Sequence, residues 1–215
     1  MTFPLPRRIF LLSGLATFGL GGCSAISALG DATTPLDAYD LALDLALGPR
    51  ASGGALARSL VVELPEVAGA LDTDRILIRP NPLQAQYLPE ARWTDPAPQL
   101  VQRLLVRNIE DSGALRYVGT RPLGAAGDFA LISRLTDFQA EVGVVDIVTI
   151  RLRLSARLVR ETDSSVIASR VFEATAVAPS TDPLTLVQAF NIAAAILIPQ
   201  TSRWALSTIG ARISA

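Results

Sequence analysis

The sequence predicts an α/β domain in which strands, including a long antiparallel hairpin, pack against two main helices. Three observations predict it. Residues 148–158 alternate strictly between apolar and polar side chains and are followed by a turn and a second extended run. Asp-Pro pairs at 95–96 and 182–183 each precede apolar residues at helical spacing. Beyond residue 35 no linker is long enough to separate domains, and one core suits the 215 residues, half of them hydrophobic.

The elements follow in order. Tyr39 to Leu47 alternates loosely and predicts a strand, and Gly48-Pro49-Arg50-Ala51-Ser52-Gly53-Gly54 predicts a mobile loop. Leu60 to Leu64 reads as a strand ended by Pro65. Arg75–Ile78 and Leu83–Tyr87 read as two short strands joined by Arg79-Pro80-Asn81-Pro82. Asp95 supplies a capping acceptor with Pro96 at the first helical position; Ala97, Leu100, Val101, Leu104, Leu105 and Ile109 form one apolar face, and Ser112-Gly113 ends the helix. Tyr117-Val118 is short, and Asp128 to Ala140 is a strand. Val144 to Arg160 is a long one that places Val148, Ile150, Leu152, Leu154, Ala156 and Leu158 on one face. Thr162-Asp163-Ser164-Ser165 turns the chain, and Val166 to Val177 returns as partner in a hairpin expected at the centre of the sheet. Leu184 to about Ile209 is helical, with a kink or two abutting helices expected at Pro199. Its apolar run is stopped at Pro199, short of a membrane span, and reads as a core helix.

Composition excludes several chemistries. The chain has no His and one Cys, which removes histidine relays, imidazole metal sites, an internal disulfide and multi-cysteine metal sites. The formal charge of −1 shows no basic excess, so nucleic acid is not an expected partner. No cofactor or metal is expected. Carboxylate pairs such as Asp72 with Asp74, or Glu110 with Asp111, come with no nucleophile or oxyanion device and read as turn or helix-end groups, so the chain is not expected to be an enzyme or to hold clustered titratable groups in a cleft.

The amino terminus carries the sharpest short motif. Residues 1–22 have a basic pair, Arg7-Arg8, then an apolar stretch from Ile9 to Leu20 that is too short to span a bilayer, then small residues: an export signal. Arg7-Arg8-Ile9-Phe10-Leu11 fits a twin-arginine signal as well as an ordinary basic segment. Leu20-Gly21-Gly22-Cys23 resembles a bacterial lipobox, which implies cleavage before Cys23, a diacylglycerol on its sulfur and an N-acyl chain on the new terminus. Several acyl chains give a stable membrane anchor where one does not. Ser24 after the anchor, rather than Asp, points under enteric-type sorting to the periplasmic face of the outer membrane. Residues 23–35 read as a flexible tether and 36–215 as the folded domain.

Two further features are candidate contacts for a partner. The stripe Arg151, Arg153, Arg157 is either a docking face or the solvated face of a strand, paired with Glu173 across the hairpin. Trp93, at an element boundary, either closes the core or anchors a partner, and Trp204 is read in the same two ways.

In order, the lipobox, Tyr39-Asp40-Leu41, Leu60-Val61-Val62-Glu63-Leu64-Pro65, Leu71-Asp72-Thr73-Asp74-Arg75-Ile76, Tyr87 with Arg92-Trp93, Leu104 through Ser112-Gly113 to Tyr117-Val118, and a helix ending near Trp204 form a set. The set resembles the ABC-type transport auxiliary lipoprotein family. The resemblance implies a mixed, largely antiparallel sheet with two main helices, similar to the amino-terminal domain of the periplasmic translocation protein TolB. It implies as partners a mammalian-cell-entry-type substrate-binding protein with its ABC permease and ATPase, which together move lipid, and a ring-shaped homo-oligomer that docks the lipid-conducting protein at the outer membrane. It brings no catalytic residue. Two other roles stay open: a periplasm-facing lipoprotein that itself holds an acyl chain between sheet and helices, favoured by a cavity on the face of Val148, Ile150 and Leu152, or an outer-membrane assembly lipoprotein.

Overall fold

The computed structural model describes residues 35–44, 48–124, 126–143 and 147–214. Residues 1–34, with the export signal, Cys23 and nearly all of the tether, lie outside the described residues, as do the last residues of the expected 39–47 strand and the first of the expected 144–160 strand.

Eleven strands and two helices are described: β1 Asp37–Tyr39, β2 Arg50–Ala51, β3 Leu56–Val62, β4 Glu66–Val67, β5 Arg75–Asn81, β6 Gln84–Trp93, α1 Ala97–Glu110, β7 Leu115–Gly119, β8 Phe129–Val142, β9 Val148–Arg160, β10 Ser165–Ala178, α2 Pro183–Ile209 and β11 Ile213–Ser214. Nine strands form one mixed sheet, while β2 and β11 pair separately. The long ladders β8–β9 and β9–β10 are antiparallel, as is β5–β6; the short pairings β1–β6, β3–β7, β3–β8, β4–β8 and β5–β8 are parallel.

The hairpin is not at the centre of the sheet. That place belongs to β8, which bonds β9 along its whole length on one side and, in succession, β3, β4 and β5 on the other. Three short strands thus fill β8's second edge, and β10 is left as an edge strand bonded to β9 alone among the described residues. A register shift between Val166 and Ala168 interrupts that edge, a device that discourages pairing with stray strands.

Both helices cover one face of the sheet. α1 buries Leu100, Val101, Leu104, Leu105 and Ile109, the face its spacing predicts. Its start differs from expectation: Pro96 occupies the cap position, and Asp95 makes no cap but lies 3.7 Å from Arg103. α2 does use its predicted cap, Asp182 accepting from the Thr185 amide at 3.1 Å, and it closes on Gly210, whose φ of 94° suits only a residue without a side chain. α2 runs unbroken through Pro199, so two abutting helices do not form; the ring is buried, and core packing on both sides of it offsets the lost backbone donor. By length and composition α2 could cross a membrane, but half of its most apolar window is buried inside the fold, against β9, β10 and α1.

Of the described part of the expected 39–47 strand, residues 40–44 are not strand and only Tyr39 is extended in β1. Beyond it the polar backbone groups of Ala42 bond the side chain of Asn191 on α2, at 2.9 and 3.2 Å, and Asp40 bonds the Leu41 amide and Arg103. Side chains satisfy this backbone in place of a neighbouring strand. Conversely, the Gly- and Pro-rich segment contains β2, because Arg50 and Ala51 pair with the carboxyl-terminal strand.

Candidate functional site

Strand alternation gives β8, β9 and β10 one face toward the helices and one away from them. Facing the helices, Val148, Ile150, Leu152, Leu154, Ala156 and Leu158 are wholly buried. This face is filled by packed side chains. Trp93 is 0% exposed and meets Phe190 and Phe138 at ring separations of 5.1 and 5.6 Å. Of its two readings it therefore takes the core one: in this fold Trp93 presents no surface to a partner. Trp204 is half-buried, edge-on to Phe172 at 5.5 Å.

The opposite face is open and polar. At its upper end lies a groove of about 530 Å³ with Arg79, Asp137, Gln139, Glu141, Thr149 and Arg151 among its walls. Titratable groups thus do cluster in a cleft, contrary to expectation, because β5, β8 and β9 bring together residues far apart in the chain. Gln139, only 4% exposed, organises the cluster: its carbonyl accepts from Arg79 Nε at 2.8 Å and its amide donates to Glu141 at 2.9 Å. Arg151 Nε donates to both Glu141 oxygens, at 3.0 and 3.2 Å. The Arg151 hydrogen bond, opposed by partial burial and helped by Gln139, holds the Glu141 carboxyl below its ordinary value; in return Glu141 raises Arg151.

Lower on this face Arg153 pairs with Glu173 at 2.8 Å, the cross-hairpin contact its register predicts, and Arg134 pairs with Glu66 at 2.9 Å. Arg157 is exposed, has no ion-pair partner among the described residues, and sits between Ile132 and Ser169 in the ladders. The predicted stripe is therefore three different residues: two committed to carboxylates and one free.

Asp128, at the entrance to β8, accepts from the Ser59 amide and hydroxyl at 2.8 and 2.9 Å, while its own amide donates back to Ser59 Oγ at 2.8 Å. Those bonds, with Arg58 beside them, lower the Asp128 carboxyl below its usual range. This clamp ties β3 to β8, a structural role.

Chemically, the open face offers charges held in pairs, Arg151 with Glu141 and Arg153 with Glu173, beside Arg157, which is unpaired among the described residues. Among the described residues no group of three or more His, Cys, Asp or Glu could hold a metal ion. The described domain is an α/β sandwich with a packed inner sheet face and one polar outer sheet face.

Comparison with known proteins supplies the family. The profile of the ABC-type transport auxiliary lipoprotein component family matches residues 39–200, and the chain belongs to that family. It is 30% identical over 203 residues to an uncharacterised protein of Bradyrhizobium diazoefficiens, covering 93% of this chain and 50% of that one. The chain thus spans about half the length of this curated relative. A crystal structure of a Xanthomonas campestris protein superposes with a TM-score of 0.72 at 26% identity, over 81% of this chain and 97% of that one. A second crystal structure, of an uncharacterised protein, shares the fold at 19% identity and a TM-score of 0.58, over 81% and 98%. The family and the shared fold bear out the α/β class with its large sheet and two helices, and the family supports an auxiliary, non-catalytic role.

Proposed function

We propose that the chain is the auxiliary lipoprotein of a mammalian-cell-entry-type lipid transport system. Acyl chains on Cys23 hold it at the periplasmic face of the outer membrane, and the folded domain docks the lipid-conducting substrate-binding protein that works with an ABC permease and its ATPase. The observation that carries this reading is the family match, which spans nearly the whole folded domain. The open sheet face supports it: charges held in pairs cost little further ordering when a partner is bound, and Arg157 is left free for one. The packed helix-facing side favours docking over carriage of an acyl chain between sheet and helices.

Tagged full-length protein, crosslinked in cells and purified from detergent-solubilised envelopes, is expected to bring with it the substrate-binding protein and the permease, identified by mass spectrometry. Recovery without a permease or ATPase would overturn the reading. The same preparation, weighed intact by native mass spectrometry, tests the ring-shaped homo-oligomer. For the anchor, Cys23→Ala is expected to leave the domain folded while the protein moves from the membrane to the soluble fraction or accumulates as precursor. An unchanged mature mass and membrane fraction would end the anchor assignment.

A further inference from the structure

On the helix side, where α2 passes the free edge of β10, lies a shallow pocket of about 380 Å³ lined by Arg170, Phe172, Gln200, Arg203, Trp204 and Ser207. Both of its charged residues are arginines. Neither has a carboxylate partner among the described residues; Arg170 instead lies over the Phe172 ring at 5.2 Å, and Arg203 Nε is buried with no acceptor. The two arginines lie side by side, and no carboxylate is among the residues that line the pocket. Guanidinium groups beside an aromatic wall suit an anionic oxygen cluster such as phosphate, which they meet with several donors.

The approach to this pocket is apolar. No charged residue occurs between Asp182 and Arg203, and the side chains α2 turns outward include Leu184, Ile192 and Ile196, which are 54%, 56% and 40% exposed. At 100° per residue Ile192, Ile196, Arg203 and Ser207 fall within about 60° of one another, so the two exposed isoleucines and the arginine pocket share one side of the helix, with the uncharged Gln200 exposed between them. Ile192 to Arg203 spans about 16 Å of helix, a reach comparable with much of an acyl chain. A cationic pocket at the end of an uncharged apolar stripe matches an amphiphile with one anionic end; a free phosphate or an acidic peptide would have no use for the stripe.

We propose that Arg170 and Arg203 bind the phosphate of an anionic phospholipid headgroup, with the proximal acyl chain lying along Ile196 and Ile192. This site is on the outer surface of α2, separate from the packed interior, and it stands or falls independently of the docking reading, which co-purification tests.

The chain carries its own reporter. Trp204 lines the pocket, whereas the other tryptophan, Trp93, is wholly buried elsewhere and gives a constant background. Full-length protein in nonionic detergent is titrated with short-chain phosphatidylglycerol, short-chain phosphatidylcholine, inorganic phosphate and a glutamate-rich peptide, reading tryptophan emission. The expected result is a saturable change with phosphatidylglycerol, at least tenfold weaker in Arg170→Gln/Arg203→Gln and retained within about threefold in Arg170→Lys/Arg203→Lys. Ile192→Gln/Ile196→Gln is expected to weaken the phospholipid response and leave that to phosphate unchanged. Near-ultraviolet circular dichroism checks that each variant keeps its core, and single substitutions replace any double variant that does not. Equal response to phosphatidylcholine, phosphate acting as strongly as the phospholipid, a stronger response to the peptide, or an unaffected arginine-to-glutamine variant would each overturn the proposal.

Discussion

On β9 the residues turned toward the helices, from Val148 to Leu158, are wholly buried, while their alternates, from Thr149 to Arg157, line a polar surface. One strand thus serves two sets of physical rules. The inner set is fixed by volume, since α1 and α2 leave room only for side chains that interlock with Phe138, Phe190 and Trp93. The outer set is fixed by charge and register: Arg151 meets Glu141, and Arg153 meets Glu173. The inner face confers stability and tolerates little change. The outer face is replaceable at small energetic cost, and so it is free to be shaped by what it contacts.

The comparison breaks most sharply at Trp93. Trp93→Ala removes the largest fully buried side chain and is expected to cost about 3–5 kcal/mol, read as a lower denaturant midpoint with the slope unchanged. A loss below about 1 kcal/mol would show that the inner face is loosely packed and that Trp93 is available for other duty. Arg157→Ala on the outer face is expected to change stability by less than about 0.5 kcal/mol.

What could be foreseen from the residues divides along the same line. The period-two run of β9, the turn at 162–165 and the apolar faces of both helices are local patterns, and these elements lie where those patterns put them. The Arg153–Glu173 pair follows from hairpin register alone. The hub position of β8 does not, because three strands compete for one edge and only tertiary packing decides among them. Nor does the Arg79–Gln139–Glu141–Arg151 cluster, whose members come from three strands. Arg170 falls in phase with the inward-facing Phe172, Ala174 and Ala176 but is itself exposed, so its place beside α2 is set by tertiary packing and not by a local pattern.

Of intermediate size is the acid response of the open face. The Glu141 carboxyl titrates lower in the folded chain than its ordinary value of 4.5, so the unfolded chain takes up its proton first as pH falls. Its contribution is therefore complete above about pH 4.5 and is lost as pH drops through the lower folded value. Glu141→Gln is expected to cost about 1 kcal/mol at neutral pH, discounted for its partial exposure, and to converge with the parent in acid. Denaturant titrations at several pH values from 7 to 3 read this directly. A gap that stays constant across the range would assign the loss to altered packing instead of charge.

A small coupling sharpens the comparison furthest, because it asks whether a pair legible in the sequence matters to the fold at all. Arg153 and Glu173 lie 2.8 Å apart, with their side chains 47% and 53% exposed. Water competes for both groups, and ordering two long side chains offsets much of their attraction. A double-mutant cycle with Arg153→Ala and Glu173→Ala is expected to give a coupling of about 0.2–1 kcal/mol that shrinks in high salt. A larger, salt-insensitive coupling would place the pair in a drier setting than this fold gives it, as when a second protein covers the open face. Repeating the cycle on the isolated protein and on the crosslinked envelope complex separates those cases. Only in the complex is the coupling expected to rise, since a docked partner would exclude the water that now weakens it.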